Sequence, residues 1–580
     1  MKNYNVISFS NLFDERIEEL GNEELIAKLK GLLSNIPSKS VIRRIAKINF
    51  EIFFNPSDSM TQNQIWDYWL EGIDVTAKTH LKERIGFYTS ISKLEFIFFG
   101  ERYILDFYNF IFENYNGNPE RKLTQDEILN TLKAYSIIVY ISNKKDEQTF
   151  LNKEGSTLFE SLQRITWPFI INQYECNNRP DGIVELIKFC AAVKEIFLDV
   201  NLQGYLKGYM KFNGFRTIRQ LLEDSYLLFT IPDRIYQKAD YHKRIPVISL
   251  ENKKLYLQNI SIDSEYYKIK NKENIYYKLL KEKPLFKLNE NDYAILDPVF
   301  LKMKLYTGFI FDFYYQSSME KDGLYPQFKD FKSGFPSKKV IEAVVFKKLL
   351  ERIFIQGNNV VWFDSKEKIS VPDCFCRSDN KIYFIELKDY LLNGNKYQTY
   401  SYEVIKEAID QKFINGVSGI KQIKRQINNY LNSPDEFPCD RGFSRTSKKM
   451  VIYPIIVHTD FIFSLPGIQQ YLDEHLKAEL KNINIPSNIL IQDLTLINLD
   501  TFILHYYNFI ENSKLLSTLI DKYFNDVKKD MIEFLNSPDE ENNYTRAHRS
   551  FAIEYAEKYR DEAKDDLPNF INVIYEIRNR

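Results

Sequence analysis

Two short segments in the second half of this 580-residue chain have the pattern of adjacent strands. They cover residues 370–376 and 381–388, and the polar stretch 377–380 between them suits a hairpin turn. Side chains alternate between the two faces of a strand, so Glu386 and Lys388 are expected on one face and the apolar residues around them on the other. The pattern therefore predicts a carboxylate and an ammonium side by side on a sheet.

Asp373 lies on the other strand of this pair, directly after a proline that cannot donate to the strand ladder. Such an interruption can direct the Asp373 carboxylate towards Glu386 and Lys388. Two carboxylates and an ammonium on one sheet face can bind a divalent metal ion beside a water molecule, which is the minimum needed to hydrolyse a phosphodiester. The structural alternative makes Asp373 a strand-end carboxylate, and Glu386 and Lys388 the solvated face of an edge strand.

The elements predicted around this strand pair follow a definite order. A helix capped by its first serine is predicted over 337–354, and a first strand follows at 359–363. After the strand pair, the pattern predicts a second helix over 418–431, a buried strand at 450–457 and a further strand within 489–499.

Glu342 has an unusual position in the first of these helices. At about 100° per residue, it lies roughly 150° from the centre of the polar face. It shares a stripe with Phe346, Leu349 and Ile353. A glutamate on the core side of a helix is costly unless it has a partner, and a metal ion or a lysine would supply one.

Pro372-Asp373 together with Glu386-Leu387-Lys388 resembles the signature of the PD-(D/E)xK nuclease superfamily. The core of that superfamily has the same order of helix, three strands, helix and strand. The resemblance covers about residues 335–500 and implies a restriction-endonuclease-like α/β core, which is a mixed sheet flanked by helices.

The resemblance also implies roles for individual residues. Asp373 and Glu386 would hold Mg²⁺ or Mn²⁺ together with the main-chain carbonyl of Leu387. Lys388 would orient the attacking water or help to deprotonate it, and its charge would stabilise the transition state. Many family members carry a glutamate on the first helix, and Glu342, which matches it, would bind a second metal ion or orient Lys388.

Gln426 and Tyr430 resemble the Q-x-x-x-Y element of the RecB-type branch of the superfamily. The resemblance implies that Gln426 positions the water or a phosphate oxygen and that Tyr430 contacts the nucleic acid. Lys421, Lys424 and Arg425 are nearby in sequence and are predicted to bind phosphate. The chain departs from the family pattern in having a compact hairpin, and a long insertion before the second helix.

The formal net charge of −1 makes any nucleic-acid binding depend on local basic patches. The best candidate is the loop 441–449, which contains Arg445 and Lys448 and precedes a predicted core strand. No apolar run reaches the length of about 18 residues that a membrane span needs. The five scattered cysteines favour a reducing cytoplasm, so a cytoplasmic protein without membrane contact is predicted.

Changes in pattern along the chain predict a multidomain protein. We expect a mainly helical regulatory or partner-binding domain over 1–230, an α+β connector over 231–334, the nuclease core over 335–510 and a helical extension over 511–580. The connector is predicted to contain a hairpin within 245–258. The helical N-terminal part is the expected docking site for a protein partner or a phage trigger, and a homo-oligomer is compatible with the sequence.

Together these features predict a metal-dependent nuclease that acts on DNA rather than RNA. A large helical region joined to such a nuclease resembles effectors of bacterial anti-phage defence, and this biological role is an analogy at the level of the family. Two alternatives remain open at this point. One is a catalytically silent scaffold that keeps the fold, and the other is an RNase effector, since no module that reads the 2′-hydroxyl is recognised.

Overall fold

The structure is a computed structural model, and it describes most of the chain. The described residues are 4–5, 12–13, 16–55, 59–92, 95–96, 98–151, 157–172, 180–238, 245–249, 254–263, 277–355, 359–363, 371–391, 401–433, 437, 440, 449–512, 514–537 and 546–551. Helices dominate the first part, and a mixed sheet flanked by helices dominates the last part. Within the described ranges, no helix combines the length and apolar character needed to cross a lipid bilayer.

The N-terminal part is helical, as predicted. Its helices are α1 (Asn22–Leu33), α2 (Ser38–Phe54), α3 (Ser59–Trp69), α4 (Val75–Ser92), α5 (Glu101–Glu113), α6 (Gln125–Leu151), α7 (Leu158–Asn172), α8 (Gly182–Leu198), α9 (Gln203–Asn213) and α10 (Ile218–Tyr236). Strands β1 (Tyr4–Asn5) and β2 (Glu95–Phe96) pair in parallel. Side-chain caps begin some helices: Asp181 accepts a hydrogen bond from the amide of Ile183 at 2.8 Å, which satisfies an otherwise unpaired donor of α8.

A small mixed sheet follows, with the strand order β3-β6-β5-β4. Its strands are β3 (Val247–Ser249), β4 (Ser261–Ile262), β5 (Leu285–Lys287) and β6 (Asp292–Ile295). The predicted hairpin within 245–258 is wrong, because Lys254–Asn259 forms helix α11 and β3 pairs with β6. Residues distant in sequence supply the partner of β3, and the local pattern contains no signal for such a pairing.

Three further helices of this region are α12 (Lys278–Glu282), α13 (Pro298–Met303) and α14 (Thr307–Gln316). A long helical segment follows, made of α15 (Phe328–Lys332), the π-helical segment π1 (Ser333–Phe346) and α16 (Lys347–Phe354). The predicted end at Phe354 is confirmed, but the predicted cap at Ser337 is wrong. The helix has already begun at that point, and the Ser337 hydroxyl donates to Asp389 at 2.6 Å instead.

The large sheet contains six strands in the order β11-β10-β9-β8-β7, with β12 also paired to β10. They are β7 (Val360–Trp362), β8 (Cys374–Ser378), β9 (Lys381–Lys388), β10 (Met450–His458), β11 (Ile489–Ile491) and β12 (Thr495–Asn498). Neighbours among β7, β8 and β9 are antiparallel, whereas β10 is parallel to β9. The hairpin between β8 and β9 is confirmed, and Asp379 at its tip has φ of 53°, a conformation that aspartate tolerates better than most residues.

Helices cover both faces of this sheet. The remaining α-helices of the described residues are α17 (Tyr402–Phe413), α18 (Ile420–Asn432), α19 (Ile468–Leu480), α20 (Leu499–Leu504), α21 (Tyr506–Glu511) and α22 (Leu515–Asn536). On one face, Ile423 and Ile427 of α18 pack in a core with Phe384 of β9. On the other face, Val345 of π1 packs in a core with Ile385 of β9. The sheet therefore separates α18 from π1.

The second of these cores extends well beyond the sheet. It includes Val184 of α8, Leu221 of α10 and Phe309 of α14, together with Phe346 of π1 and Leu516 of α22. The core thus continues across the positions predicted as domain boundaries after residues 230, 334 and 510. Burial of this shared apolar surface ties the helical region to the sheet.

Glu185 is a buried carboxylate within this shared core. It is 6 % exposed, and its carboxylate lies 4.0 Å from the ammonium of Lys188, which donates to Asp500 at 2.6 Å. Burial is the main cause that raises the pKa of Glu185 to about 7.

Replacing Glu185 with glutamine is expected to stabilise the protein at about pH 8 and to change little at about pH 4. The pKa of this carboxyl rises on folding. The free energy of unfolding of the wild type therefore decreases as the pH increases from the unfolded-state pKa of the carboxyl to about 7. The variant has no such loss and should gain about 1–3 kcal/mol at the higher pH. Urea unfolding at the two pH values measures the difference, and an equal gain at both would contradict this assignment.

Candidate active site

Strand β9 places Glu386 and Lys388 beneath helix α18. The alternation predicted from the sequence is confirmed, because Ile382 and Phe384 belong to the core on the α18 face, and Tyr383 to the core on the π1 face. Glu386 is completely buried and Lys388 is 7 % exposed. Charged groups are almost never this buried without partners. The contacts of Glu386 and Lys388 therefore decide how the site is interpreted.

Glu386 and Lys388 form a buried ion pair that α18 completes. The Lys388 ammonium donates to Glu386 Oε2 at 2.9 Å and to Gln422 Oε1 at 2.9 Å. Gln426, one turn further along α18, donates through Nε2 to Glu386 Oε1 and to the carbonyl oxygen of Val371, the latter at 3.2 Å. These contacts fix the carboxylate and the ammonium in one orientation.

Asp373 joins this pair from the neighbouring strand. It lies between Pro372 and the first residue of β8, where the backbone does not yet follow the strand ladder. Its amide donates to Glu386 Oε1 at 3.2 Å, and its Oδ2 accepts from the amide of Leu387 at 2.8 Å. The structure therefore brings together Asp373, Glu386 and Lys388, which the sequence predicted to be neighbours.

The proximity of these charges changes their protonation. Burial first, and then the Glu386 carboxylate, raise the pKa of Asp373 to about 7. Burial alone would lower the pKa of Lys388, but the carboxylates of Glu386 and Asp373 outweigh it and raise this pKa. Lys388 is thus held as a cation, while Asp373 keeps, below about pH 7, a proton that a divalent cation could displace.

The site has the donor set that Mg²⁺ or Mn²⁺ accepts. Two carboxylates close enough to repel each other would be stabilised by a divalent cation, and magnesium needs only one or two carboxylates because it keeps several waters. Gln426 Oε1 is buried without a hydrogen-bond donor among the described residues. A water beside the cation would supply that donor. Within the same residues, no cluster of three or more His, Cys, Asp or Glu side chains is suited to hold a metal ion.

Glu342 makes none of the hydrogen bonds described above for Asp373, Glu386 and Lys388. It belongs to π1, which covers the opposite face of the sheet from α18. Its side chain is 28 % exposed and forms an ion pair with Lys347 at 3.1 Å. A lysine thus supplies the partner that the helical pattern required, and a role for Glu342 in metal binding stays a prediction.

The residues predicted to contact nucleic acid have different environments. Lys421 and Arg425 are exposed on α18, and Arg425 also donates to the carbonyl of Val417 at 2.6 Å. Lys424 is bound to Glu479 at 2.6 Å, which offsets its charge. Arg445 and Lys448 lie outside the described residues.

Tyr430 is completely buried in the core beneath α18. Its ring packs against Phe375 and Phe384, and its hydroxyl donates to Asp440 at 2.9 Å. Asp440 is also held by Arg377 at 2.5 Å. The structure gives Tyr430 a clear role in stability, and its predicted contact with nucleic acid remains untested.

Replacing Tyr430 with phenylalanine is expected to destabilise the protein by about 1–2 kcal/mol, since a buried carboxylate loses a hydrogen-bond donor. Chemical denaturation of the variant and the wild type measures this difference. The ring and its packing are preserved, so the change isolates the hydroxyl. Equal stability of the two proteins would show that Arg377 alone satisfies Asp440.

The sequence reasoning missed Gln422, which accepts from the Lys388 ammonium. Its signal was present, because Gln422 precedes Gln426 by four residues and so lies on the same stripe of a helix. It also missed Asp389, which accepts hydrogen bonds from Ser337, Thr459 and Lys332 directly after the site lysine. No local sequence pattern predicted these three partners, which are distant from Asp389 in sequence.

Comparisons with protein-family models, with curated proteins and with solved structures find no match. The assignment of this site therefore depends on its own geometry and chemistry.

Proposed function

We propose that this protein is a metal-dependent nuclease of the PD-(D/E)xK type that hydrolyses phosphodiester bonds in DNA. One observation carries the proposal: Glu386 contacts both Asp373 and Lys388. Glu386 and Lys388 are buried beneath α18, where Gln422 and Gln426 bond the ammonium and the carboxylate. The strand order around β9, and helices on both sides of the sheet, support a restriction-endonuclease-like core.

In the proposed reaction, Asp373 and Glu386 would hold Mg²⁺ or Mn²⁺, and the carbonyl of Leu387 would be a further ligand. The ion would lower the pKa of a water and polarise the phosphoryl group. Lys388 stays protonated because of its carboxylate neighbours, so its role is to stabilise negative charge on the phosphate in the transition state rather than to act as a base. Gln426 Oε1, which has no donor among the described residues, would accept a hydrogen bond from the attacking water and so orient it.

The same proposal extends to the contacts with nucleic acid and to the biological role of the protein. Exposed Lys421 and Arg425 on the helix that covers the site are suited to phosphate contacts, and Arg445 and Lys448 are proposed to contribute further cations. The helical N-terminal part would receive a protein partner or a phage trigger, in a cytoplasmic anti-phage role. Its shared core with the sheet supports such coupling.

The test is cleavage of plasmid, linear duplex and single-stranded DNA and of RNA with Mg²⁺ or Mn²⁺, comparing wild type with Asp373→Asn. Asp379→Asn is the matched control, because Asp379 is exposed at the hairpin tip and asparagine tolerates its positive φ. Metal-dependent cleavage of DNA that disappears only in Asp373→Asn supports the proposal. Cleavage confined to RNA would identify an RNase.

A silent wild type needs a second measurement, since the enzyme could require a trigger. Toxicity on expression that is lost in Asp373→Asn and kept in Asp379→Asn would indicate an enzyme that a cellular component activates. Equal behaviour of all three proteins in every assay would leave the scaffold alternative and refute the nuclease proposal.

A further inference from the structure

A cleft separates helices α2 and α3 in the N-terminal part of the protein. Its volume is about 360 Å³. Apolar, aromatic and charged groups all contribute to its walls. The lining residues are Lys47, Ile48, Glu51, Gln64, Ile65, Asp67 and Tyr68. Clefts of this size accommodate small molecules rather than single ions.

Lys47 is the most unusual of these residues. Its side chain is 7 % exposed, yet within the described part of the chain its ammonium has neither a hydrogen-bond acceptor nor an ion-pair partner. The ammonium lies 3.8 Å from the centre of the Tyr68 ring. Burial lowers the pKa of Lys47 even though Glu51 and Glu71 act in the opposite direction. A buried charge without a bonded partner is costly, and it suggests that the partner comes from outside the chain.

Arg44, one turn earlier on α2, adds a second cation beside the cleft. Its Nη2 donates to the carbonyls of Tyr68 at 2.9 Å and of Glu71 at 3.2 Å, and also to the carbonyl of Trp69. Its Nε is buried without a partner among the described residues. Carbonyl oxygens offset only part of a guanidinium charge, so Arg44 reinforces the positive potential around Lys47.

Carboxylates also lie near the cleft and reduce this potential. Asp67 is bound by Lys78 at 3.2 Å and by Lys82, so its charge is already balanced at the rim. Glu51, four residues after Lys47 on α2, lines the same cleft, and both Glu51 and Glu71 raise the pKa of Lys47 without overcoming the effect of burial. The cleft thus combines the unbonded Lys47 ammonium with the exposed side chain of Gln64 and the half-buried ring of Tyr68.

We propose that this cleft binds a phosphate ester of nucleotide size, with its phosphate on the Lys47 ammonium. A phosphate offers several oxygens to the three protons of the ammonium. An ester group is needed to fill a cleft larger than inorganic phosphate. The exposed Gln64 side chain and the half-buried Tyr68 ring, which line the same cleft, would contact the ester group. This ligand site goes beyond the proposed nuclease function and does not depend on it.

The test is calorimetric titration of the full chain with ribonucleoside monophosphates, with inorganic phosphate and with the uncharged nucleosides. At least one monophosphate is expected to bind the wild type, and more tightly than inorganic phosphate or its nucleoside. Lys47→Met should weaken that binding roughly ten- to a hundredfold, because a charged hydrogen bond is lost while the aliphatic stem is kept. Lys47→Arg should retain most of the affinity. Lys207→Met, on the exposed side of α9, is the matched control and should bind as wild type does.

Thermal unfolding separates a lost ligand contact from a lost fold. Lys47→Met should unfold without ligand at a temperature no lower than the wild type, since it removes a costly buried charge, and a monophosphate should stabilise only the wild type. If the methionine variant does not fold, Lys47→Gln provides the same comparison. The proposal is overturned if no monophosphate binds at millimolar concentration, if nucleosides bind equally well, or if the folded Lys47 variants keep full affinity.

Discussion

Replacing Lys388 with methionine is expected to reduce metal-dependent cleavage by roughly a hundred- to a thousandfold, the effect of removing one charge-stabilising donor. The ammonium contacts both Glu386 and Gln422 and is held as a cation. Methionine preserves much of the buried stem, so the loss isolates the charge. Initial cleavage rates at saturating Mg²⁺ provide the measurement.

The same substitution is expected to affect stability, because Glu386 remains buried after its cationic partner is removed. Such uncompensated carboxylates cost about 3–5 kcal/mol, and Mg²⁺ should restore part of that loss by taking the place of the ammonium charge. Thermal unfolding with and without Mg²⁺ tests this and establishes that the variant is folded at the assay temperature.

Lys381→Met is the control for both effects. Lys381 begins the same strand, and its ammonium donates to Ser517 at 2.7 Å, away from the site. The Lys381→Met variant should cleave DNA at the wild-type rate. A folded Lys388→Met that also cleaves at the wild-type rate would exclude Lys388 from the reaction.

Metal binding is expected to weaken about tenfold for each pH unit below the pKa of Asp373, because a proton and a divalent cation compete for the same carboxylate. That pKa lies at about 7, chiefly through burial and then through the neighbouring Glu386. The pH dependence should therefore appear near neutrality rather than near the ordinary range of aspartate.

The sign of the stability effect follows from the same pKa. The carboxyl of Asp373 is harder to ionise in the folded protein, so the metal-free protein loses stability as pH rises from about 4 to about 7. A bound cation removes this penalty, and the increase in melting temperature caused by Mn²⁺ should be larger at about pH 8 than at about pH 6.

Asp373→Asn should lose both the Mn²⁺ stabilisation and its pH dependence, while Asp379→Asn should keep them. Titration calorimetry with Mn²⁺ at the two pH values gives the affinities directly. A Mn²⁺ affinity that is constant across this range would show that Asp373 does not hold the ion.

The local sequence alone determined the hairpin of β8 and β9 and the position of α18, because residues close together in the chain decide these features. Strand alternation alone placed Glu386 and Lys388 on one face, and a short polar turn fixed the hairpin that brings Asp373 beside them. Helical periodicity likewise located α18 with Gln426 on its inner side. These features depend on fixed geometric repeats, so no tertiary information was needed.

Only the tertiary structure decided which distant groups complete each contact. It brought Gln422 to Lys388 and buried Tyr430 against Phe384. It also placed π1 on the other face of the sheet from α18 and paired Glu342 with Lys347. Pairings of this kind depend on how faces pack across the core. The sequence pattern specifies which face of an element is apolar, but it does not specify the element that covers that face.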